Sequence, residues 1–544
     1  MKKMPKRLLL ILCVLAVSPW SRADNASSGL QEPVAFTAIA ISSASRVAAE
    51  AVPGVSIADL PALEQAAFMA ELRRLIGQPI TRDNLQALVT MVNAQLAASG
   101  ESFSVASLPE QDISAGQIQL RITRATVGQL SFKNAGDWNF SQDYYRALFR
   151  IQTGDVLTAN KLDDEVDWIN RSNPYRSAQV LAEPGEQIGQ TDLEISISEQ
   201  RPYSFSLGYE NNGSRVTGRD RFTFTAGWGQ VLGLDHQLNY SLNANQNFNK
   251  FQSHTLGYVI PLPWHHLLSL SVNASQIKPE LPEPFNQSGS SSGLSLRIDA
   301  PLQRRGAYTH GVNLAFDYKR SDNSLLFSQT PVTNTQTAIY QFNLGYKGTL
   351  KDGYGQTNFH GNWIYAPGNV GSNNDDAAFS ATRAQAKAAY KYWQLGLERA
   401  TQLPKDWKWT INANFQGADS NLLGSEQLSG GGVSSVRGFA DAIAFGDEGR
   451  VLRTELLSPL FQAEPLGQAI QIQGLVFYDD ATLNNKQLLP GEATGNHLNA
   501  WGLGLRLSLP KNMAVRIDAG KQINHDVIGA TPESLVHVGL SASF

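Results

Sequence analysis

The sequence predicts a mainly β protein: a 16-stranded antiparallel transmembrane β-barrel preceded by two α+β domains. Three observations carry this. Beyond Arg201, apolar residues recur at every second position in run after run, and helical periodicity disappears. The connections between those runs alternate short and long. Before Arg201 the order strand, helix, helix, strand, strand occurs twice.

The chain opens on a segment that is not part of the fold. Lys2, Lys3, Lys6 and Arg7 precede the short apolar run Leu8 to Val17, and Ser21-Arg22-Ala23 ends on a small residue. Residues 1–23 are read as a cleaved signal peptide, because the run is too short to span a bilayer as a helix. The single cysteine, Cys13, lies inside it, with Leu12 where a lipoprotein signal needs a small residue. The mature chain then has no thiol for a disulfide, a zinc–cysteine site or a cysteine nucleophile. Five of the 44 basic residues and none of the 48 acidic ones fall in the leader, leaving a net charge of about −9 that argues against nucleic acid as a partner.

Residues 24–33 are a short polar segment. In the first α+β domain, 34–124, Val34 to Ser42 is a strand and Leu60 to Ile76 a helix. Thr81 caps a second helix with Leu85, Leu88, Val89, Val92 and Leu96 on one face. Ser102 to Ala106 and Gln117 to Arg124 are strands. The second, 125–200, repeats the order: Val127, Leu130 and Phe132 mark a strand, Phe140 to Phe149 a helix, and Thr158 caps a helix carrying Leu162, Val166 and Ile169. Arg176 to Glu183 and Thr191 to Ser198 close it.

The barrel, 201–544, begins with Tyr203, Phe205, Leu207 and Tyr209 facing one way. It ends with Val536, Val538, Leu540, Ala542 and the terminal Phe544. Short connections include Gly233-Leu234-Asp235, Pro261-Leu262-Pro263, Lys351-Asp352-Gly353 and Pro510-Lys511-Asn512. Long ones cover 277–290, 321–335, 366–382, 419–449, 482–498 and 523–534. The closed form follows from physics: in lipid every backbone group needs an internal partner. An even strand number places both barrel termini, and the α+β domains, on the periplasmic side. A soluble propeller or sandwich is the competing reading, opposed by the leader, the terminal Phe and the short/long alternation.

The loop 419–449 holds Val436-Arg437-Gly438-Phe439 after a Gly/Ser-rich run. Arg437 cannot rest in lipid. It is either a solvated loop arginine or the partner of an inward carboxylate. On the strand from Ile470, Phe477 and Asp479 sit at inward positions and offer such a partner. No Gly-x-Ser-x-Gly, His-Glu-x-x-His or Walker sequence is present, so no catalytic residue, metal site or cofactor is expected. His265-His266 at a short turn is read as interfacial rather than metal-binding, and Asp479-Asp480 as pointing to opposite faces.

Val436-Arg437-Gly438-Phe439 resembles the VRGY/F loop tip of the BamA-type superfamily, and Phe477-x-Asp479 its F-x-D-x-G strand, with Ala481 in place of the last Gly. Gly449 to Pro459 resembles the strand that follows the loop. The α+β domains resemble POTRA domains. Leu108-Pro109-Glu110-Gln111-Asp112-Ile113 with Gly116 is similar to a motif of the first POTRA in the two-partner-secretion group, the ShlB/FhaC/HecB-like haemolysin secretion/activation family. The resemblance implies an outer-membrane translocator that takes a large unfolded partner exoprotein from the periplasm through its POTRA domains, without nucleotide. Loop 419–449 would lie in the lumen with Arg437 seated on Asp479. Gly539 and Phe544 would serve as the assembly signal read by periplasmic chaperones and the barrel-assembly machinery, and outer-membrane lipid would surround the wall. A barrel-assembly factor, or less readily a passive porin or receptor, is the alternative. The plug helix that often precedes the first POTRA is expected to be absent.

Overall fold

The structure, a computed structural model, describes residues 34–43, 53–135, 140–214, 216–328, 330–491, 494–510, 512–525 and 534–544. The expected leader, the segment 24–33 and most of the expected loop 523–534 lie outside the described residues, as does Lys511 of one expected turn. The chain forms two compact units, one within 1–92 and 106–122, the other within 93–105 and 123–544.

In the first unit Ala38–Ser42 pairs in parallel with both Gly54–Ala58 and Gln117–Thr123, and Val105–Ser107 completes a four-stranded sheet. Gly54–Ala58 departs from the expected order. It is a short edge strand, half exposed, whose Val55 and Ile57 alternate too briefly to stand out from the sequence around them. The expected helix from Leu60 to Ile76 is also broken, into a 3-10 turn Pro61–Leu63 and the helix Ala66–Arg73. Leu60, Leu63, Phe68 and Leu72 are nonetheless all buried, so the apolar stripe is continuous where the helix is not. Thr81 Oγ1 accepts the amide of Asn84 (3.1 Å) and starts Arg82–Ala98, whose Leu88, Val92 and Leu96 are buried.

The second unit begins with strand, helix, helix, strand, strand. Thr126–Ala135 runs parallel to Gln190–Glu199, which pairs antiparallel with Arg176–Pro184. Ser141 and Thr158 cap Gln142–Leu148 and Ala159–Ser172 by accepting the amides of Tyr144 and Lys161. Val127, Phe132, Phe149, Leu162, Ile169, Ile195 and Ile197 fill the core between helices and sheet.

The same unit continues into a closed antiparallel barrel of 16 strands. The strand Glu448–Leu457 breaks at Ser458-Pro459 and resumes as Phe461–Ala463, both pieces pairing with Ile470–Asn484. Closure joins Leu535–Ser543 to the first strand, Tyr203–Glu210, and the amides and carbonyls of Phe544 and Phe205 pair reciprocally (2.9 and 3.2 Å). Outward positions such as Leu207, Leu256, Leu344 and Leu503 are exposed, giving an apolar outer wall. No described helix is long and apolar enough to cross a membrane.

Two expected long loops are strand instead, 321–335 almost throughout and 277–290 from Phe285 onward, where Ile277 already pairs with Gly289. Phe285–Arg305, Tyr308–Phe327 and Thr330–Asp352 have 21, 20 and 23 residues, and the ladder pairs Asp322 with Gln336 where loop 321–335 was expected. A membrane needs about 9–11 residues per strand. The excess projects beyond the wall, where both faces meet water and the sequence loses its apolar alternation while the backbone stays paired.

Candidate functional site

Between Ala418 and Glu448 the chain leaves the wall and folds into the lumen. The small hairpin Leu428–Gly430 with Ala444–Gly446 ties the two limbs of this loop together. Its tip presses on the wall at Gly438, which has φ +91°, and a Cβ there would lie 2.9 Å from the Gly520 carbonyl oxygen. Two glycines facing each other let loop backbone lie directly on strand backbone. The Gly438 amide donates to His537 Nε2 (3.0 Å), and Gln522 Nε2 donates to the Gly438 carbonyl (2.6 Å). Val436 and Phe439 are fully buried beside Ala481, Leu483, Leu498 and Ala500. Ala481 therefore supplies a methyl to this apolar seat, and Ile470–Asn484 stays paired on both sides through it.

Arg437 is fully buried. Its Nε and Nη2 donate to the two carboxylate oxygens of Asp479 (2.7 and 2.8 Å), and its backbone amide adds a third bond at 3.1 Å. This is the two-handed geometry that a planar guanidinium forms and an ammonium cannot. The Phe477 ring lies 3.6 Å below the guanidinium carbon. Nη1 donates to Glu455 (2.6 Å) and stands 3.5 Å from Asp518. Neither acid was anticipated, although both occupy inward positions of their strands. Arg506 (2.8 Å) and Arg516 (3.8 Å) then reach Asp518, and Arg453 reaches Glu455 (3.6 Å) and Asp479 (3.8 Å). The site is a network of alternating charge rather than a pair. Asp480 points the other way, to His497 (2.8 Å).

The remaining motif residues lie elsewhere. Gln111 bonds the strand Gln117–Thr123 through both ends of its amide: Nε2 donates to the Gln119 carbonyl (2.9 Å) and Oε1 accepts its amide (2.7 Å). Asp112 caps the turn by accepting the Ser114 amide (2.8 Å), a bond that holds its carboxyl below the usual range. Gly116 has φ +74°, and a Cβ would meet the Ala35 carbonyl oxygen at 2.2 Å, so only glycine fits. Leu108, Glu110 and Ile113 are exposed, and Pro109 is partly covered. In this structure the motif is a strand-entry clamp. Gly539 lies in the last strand opposite Arg516 and Glu210.

Sequence reasoning missed a second ionic site, where the α+β part of the second unit meets the barrel's near turns. Arg176 Nη2 pairs with Asp235 (2.9 Å), both side chains almost wholly buried. Asp235 also accepts the Tyr144 hydroxyl and Asn173 Nδ2 (2.7 Å each). Arg304 reaches Asp163, Asp164 and Asp167 on Ala159–Ser172. His265, in the turn 262–266, stacks on Trp168 (4.7 Å), donates to the Leu148 carbonyl (3.0 Å) and accepts from Arg150. Burial, with the Arg150 charge beside it, pushes its pKa down to about 4. His266 turns away to the Trp264 carbonyl, so the two histidines do not converge. No group of three or more potential metal ligands converges among the described residues.

Comparison with known proteins adds the following. The family model described as haemolysin secretion/activation protein ShlB/FhaC/HecB matches residues 189–507, and a ShlB-type POTRA domain matches 51–124. The heme/hemopexin transporter protein HuxB of Haemophilus influenzae is 23% identical over 485 residues, 84% of this chain and 81% of that protein. The outer membrane transporter CdiB-2 of Burkholderia pseudomallei is 22% identical over 416 residues, covering 74% and 69%. The hemolysin transporter protein ShlB of Serratia marcescens is 24% identical over 357 residues, covering 63% and 60%. Among solved structures, CdiB from Escherichia coli superposes with a TM-score of 0.77 at 19% identity, covering 97% of this chain and 94% of that one.

Proposed function

Because the chain belongs to the haemolysin secretion/activation family ShlB/FhaC/HecB, whose members are outer-membrane translocators of secreted partners, we propose that it binds one large unfolded exoprotein in the periplasm and passes it outward through the barrel without nucleotide. The observation that carries this reading is the lumenal loop. It folds inside a closed barrel and is held there at its tip by one buried arginine set in a network of charges. A passive pore has no need of such a plug.

Recognition falls to the α+β domains. Among the described residues Arg176–Pro184 pairs with one strand only. Asn170 covers its other edge at Ala178, accepting the Ala178 amide and donating to its carbonyl, and the stretch beyond, where Leu181 is exposed, is left for an added strand. Main-chain pairing of that kind binds an extended segment without demanding a particular sequence. The barrel offers no such edge, because closure uses them all. Gly539 and Phe544 belong to the seam and are read as part of the assembly signal. Loss of heat-modifiable barrel on deleting Phe544 is the check.

The direct test is co-expression of the full chain with a large exoprotein whose reading frame adjoins its own. Export should require the chain and stop when 34–124 is deleted. Export that persists without 34–124 contradicts the recognition role. A general loss of other outer-membrane proteins in cells lacking the chain would instead mark an assembly factor.

A further inference from the structure

At the far end of the barrel, away from the Arg437 seat, a second buried carboxylate gathers three separate connections. Asp447 closes the lumenal loop where it rejoins the wall, and it is fully buried. Its Oδ2 accepts Arg383 Nη2 (2.9 Å) and the Lys486 amide (2.9 Å). Its Oδ1 accepts Arg383 Nη1, the Leu422 amide (2.9 Å) and Gln427 Nε2 (3.2 Å). Arg383 comes from the connection 367–389, Leu422 and Gln427 from the lumenal loop, and Lys486 from the connection 485–494. The same guanidinium also donates to the Leu422 carbonyl and to Asn485 Oδ1 (3.1 Å).

A neutral hub repeats the pattern. Asn421 Nδ2 donates to the carbonyls of Ala384 and Gln487 (3.0 Å each), and its Oδ1 accepts the Gln487 amide (2.7 Å). Apolar contacts support both hubs: Phe379, from the short helix Asp376–Thr382, is fully buried with Leu422, Leu423, Ala386 and Ala388. A solvated loop needs none of this. A carboxylate with no exposure and five donors from three chain segments holds those segments in one arrangement.

We propose that Arg383 and Asp447 form an outer latch that closes the external mouth of the lumen by tying three external connections together, independently of the Arg437 seat. The proposal rests on the translocator reading, since it treats the lumenal loop as a plug that must move. It implies two locks in series: releasing the tip frees the loop inside the barrel, and releasing the latch opens the mouth.

The test uses the full-length chain in planar bilayers, with entry of vancomycin into intact cells as a second readout. Arg383→Gln and Asp447→Asn should each shift the closed-to-open ratio by on the order of tenfold, the scale of one charged hydrogen bond, and admit the antibiotic. Wild-type conductance and exclusion in both variants, at equal heat-modifiable barrel, would overturn the latch. Should either variant fold poorly, the pair Arg383→Cys with Asp447→Cys serves, since Cys13 is the only native cysteine. A short, reducible bis-thiosulfonate bridge should lower conductance and reduction should restore it. Conductance indifferent to the bridge counts against the proposal. These readouts need no cargo, so a chain that exports nothing would sink the translocator reading while leaving the latch result standing.

Discussion

Arg437 and Arg176 are both sealed from solvent, both bonded to an aspartate and both set over an aromatic ring, yet one seats a loop and the other docks a domain. Arg176 makes one ion pair, to Asp235, and its other partners are neutral: the Ile169 carbonyl (3.1 Å) and the Ser172 hydroxyl (2.7 Å), with Tyr144 and Asn173 on the far side of the acid. The buried Glu199, opposite Arg176 in the ladder, is taken up by the Tyr145 hydroxyl, the Phe140 amide and Gln230. Around Arg437 there are three carboxylates, with Arg453, Arg506 and Arg516 next to them. A single pair whose neighbouring acid is already engaged by other donors has no free partner to move to, so parting it separates two buried charges. A network of alternating charge offers each member another partner as it moves. The first arrangement suits a joint that stays fixed, the second a loop that leaves its seat.

That contrast can be broken at its rigid end. Asp235→Ala takes from the buried Arg176 guanidinium its one ion-pair partner, a loss of up to about 3–5 kcal/mol. The expected outcome is an α+β domain cleaved by protease far faster than in the wild type, while the barrel remains heat-modifiable on gels. Unchanged cleavage would mean that the pair does not hold the dock.

A smaller effect comes from pH. The ordinary histidine value is 6.5, and His265 in the docked state titrates at about 4. Between those values the undocked chain binds a proton that the docked chain does not. The stabilisation is therefore complete above about pH 6.5 and is lost as pH falls toward 4, by at most about 2 kcal/mol at pH 5 after solvent screening. Glu165, whose carboxyl burial raises from 4.5, slopes the opposite way. Protease susceptibility between pH 7 and 5 should thus be compared in the wild type and in His265→Gln. The two curves should separate as pH falls, and parallel curves would remove His265 from the dock.

The smallest effect sharpens the other end. Glu455→Gln leaves Asp479 and Asp518 facing Arg437, so it should cost no more than about 1 kcal/mol and change export by less than severalfold. A loss as deep as that of an Asp479 variant would show a rigid pair there too.

How much of this was legible in the sequence follows from what each feature does to residue pattern. The lipid-facing wall writes itself into the chain as Phe205, Leu207, Phe222 and Phe224, because one face of each strand meets hydrocarbon. The long hairpin through 321–335 leaves no such trace, since both its faces meet water. Asp479 can be reached from its inward parity on one strand. Glu455 and Asp518 have inward parity as well, but parity within a strand does not say which strands meet at a loop tip. Arg176 reads in sequence as the first residue of a strand and Asp235 as a turn residue. Their bond depends on how a domain sits against a turn, which no local pattern encodes. Gly54–Ala58 was lost for a simpler reason: five residues with two β-branched side chains do not rise above their surroundings.

The central claim is that the tip seat serves export and not assembly. It is tested most directly by measuring the exoprotein released into the medium by cells carrying wild-type chain, Arg437→Ala or Arg437→Lys, at equal amounts of heat-modifiable barrel. Alanine should lower export on the order of tenfold or more, since it abandons two buried carboxylates, Asp479 and Asp518, and the partly buried Glu455. Lysine should restore part of it, because it keeps the charge and loses the fork. Wild-type export by Arg437→Ala would contradict the account.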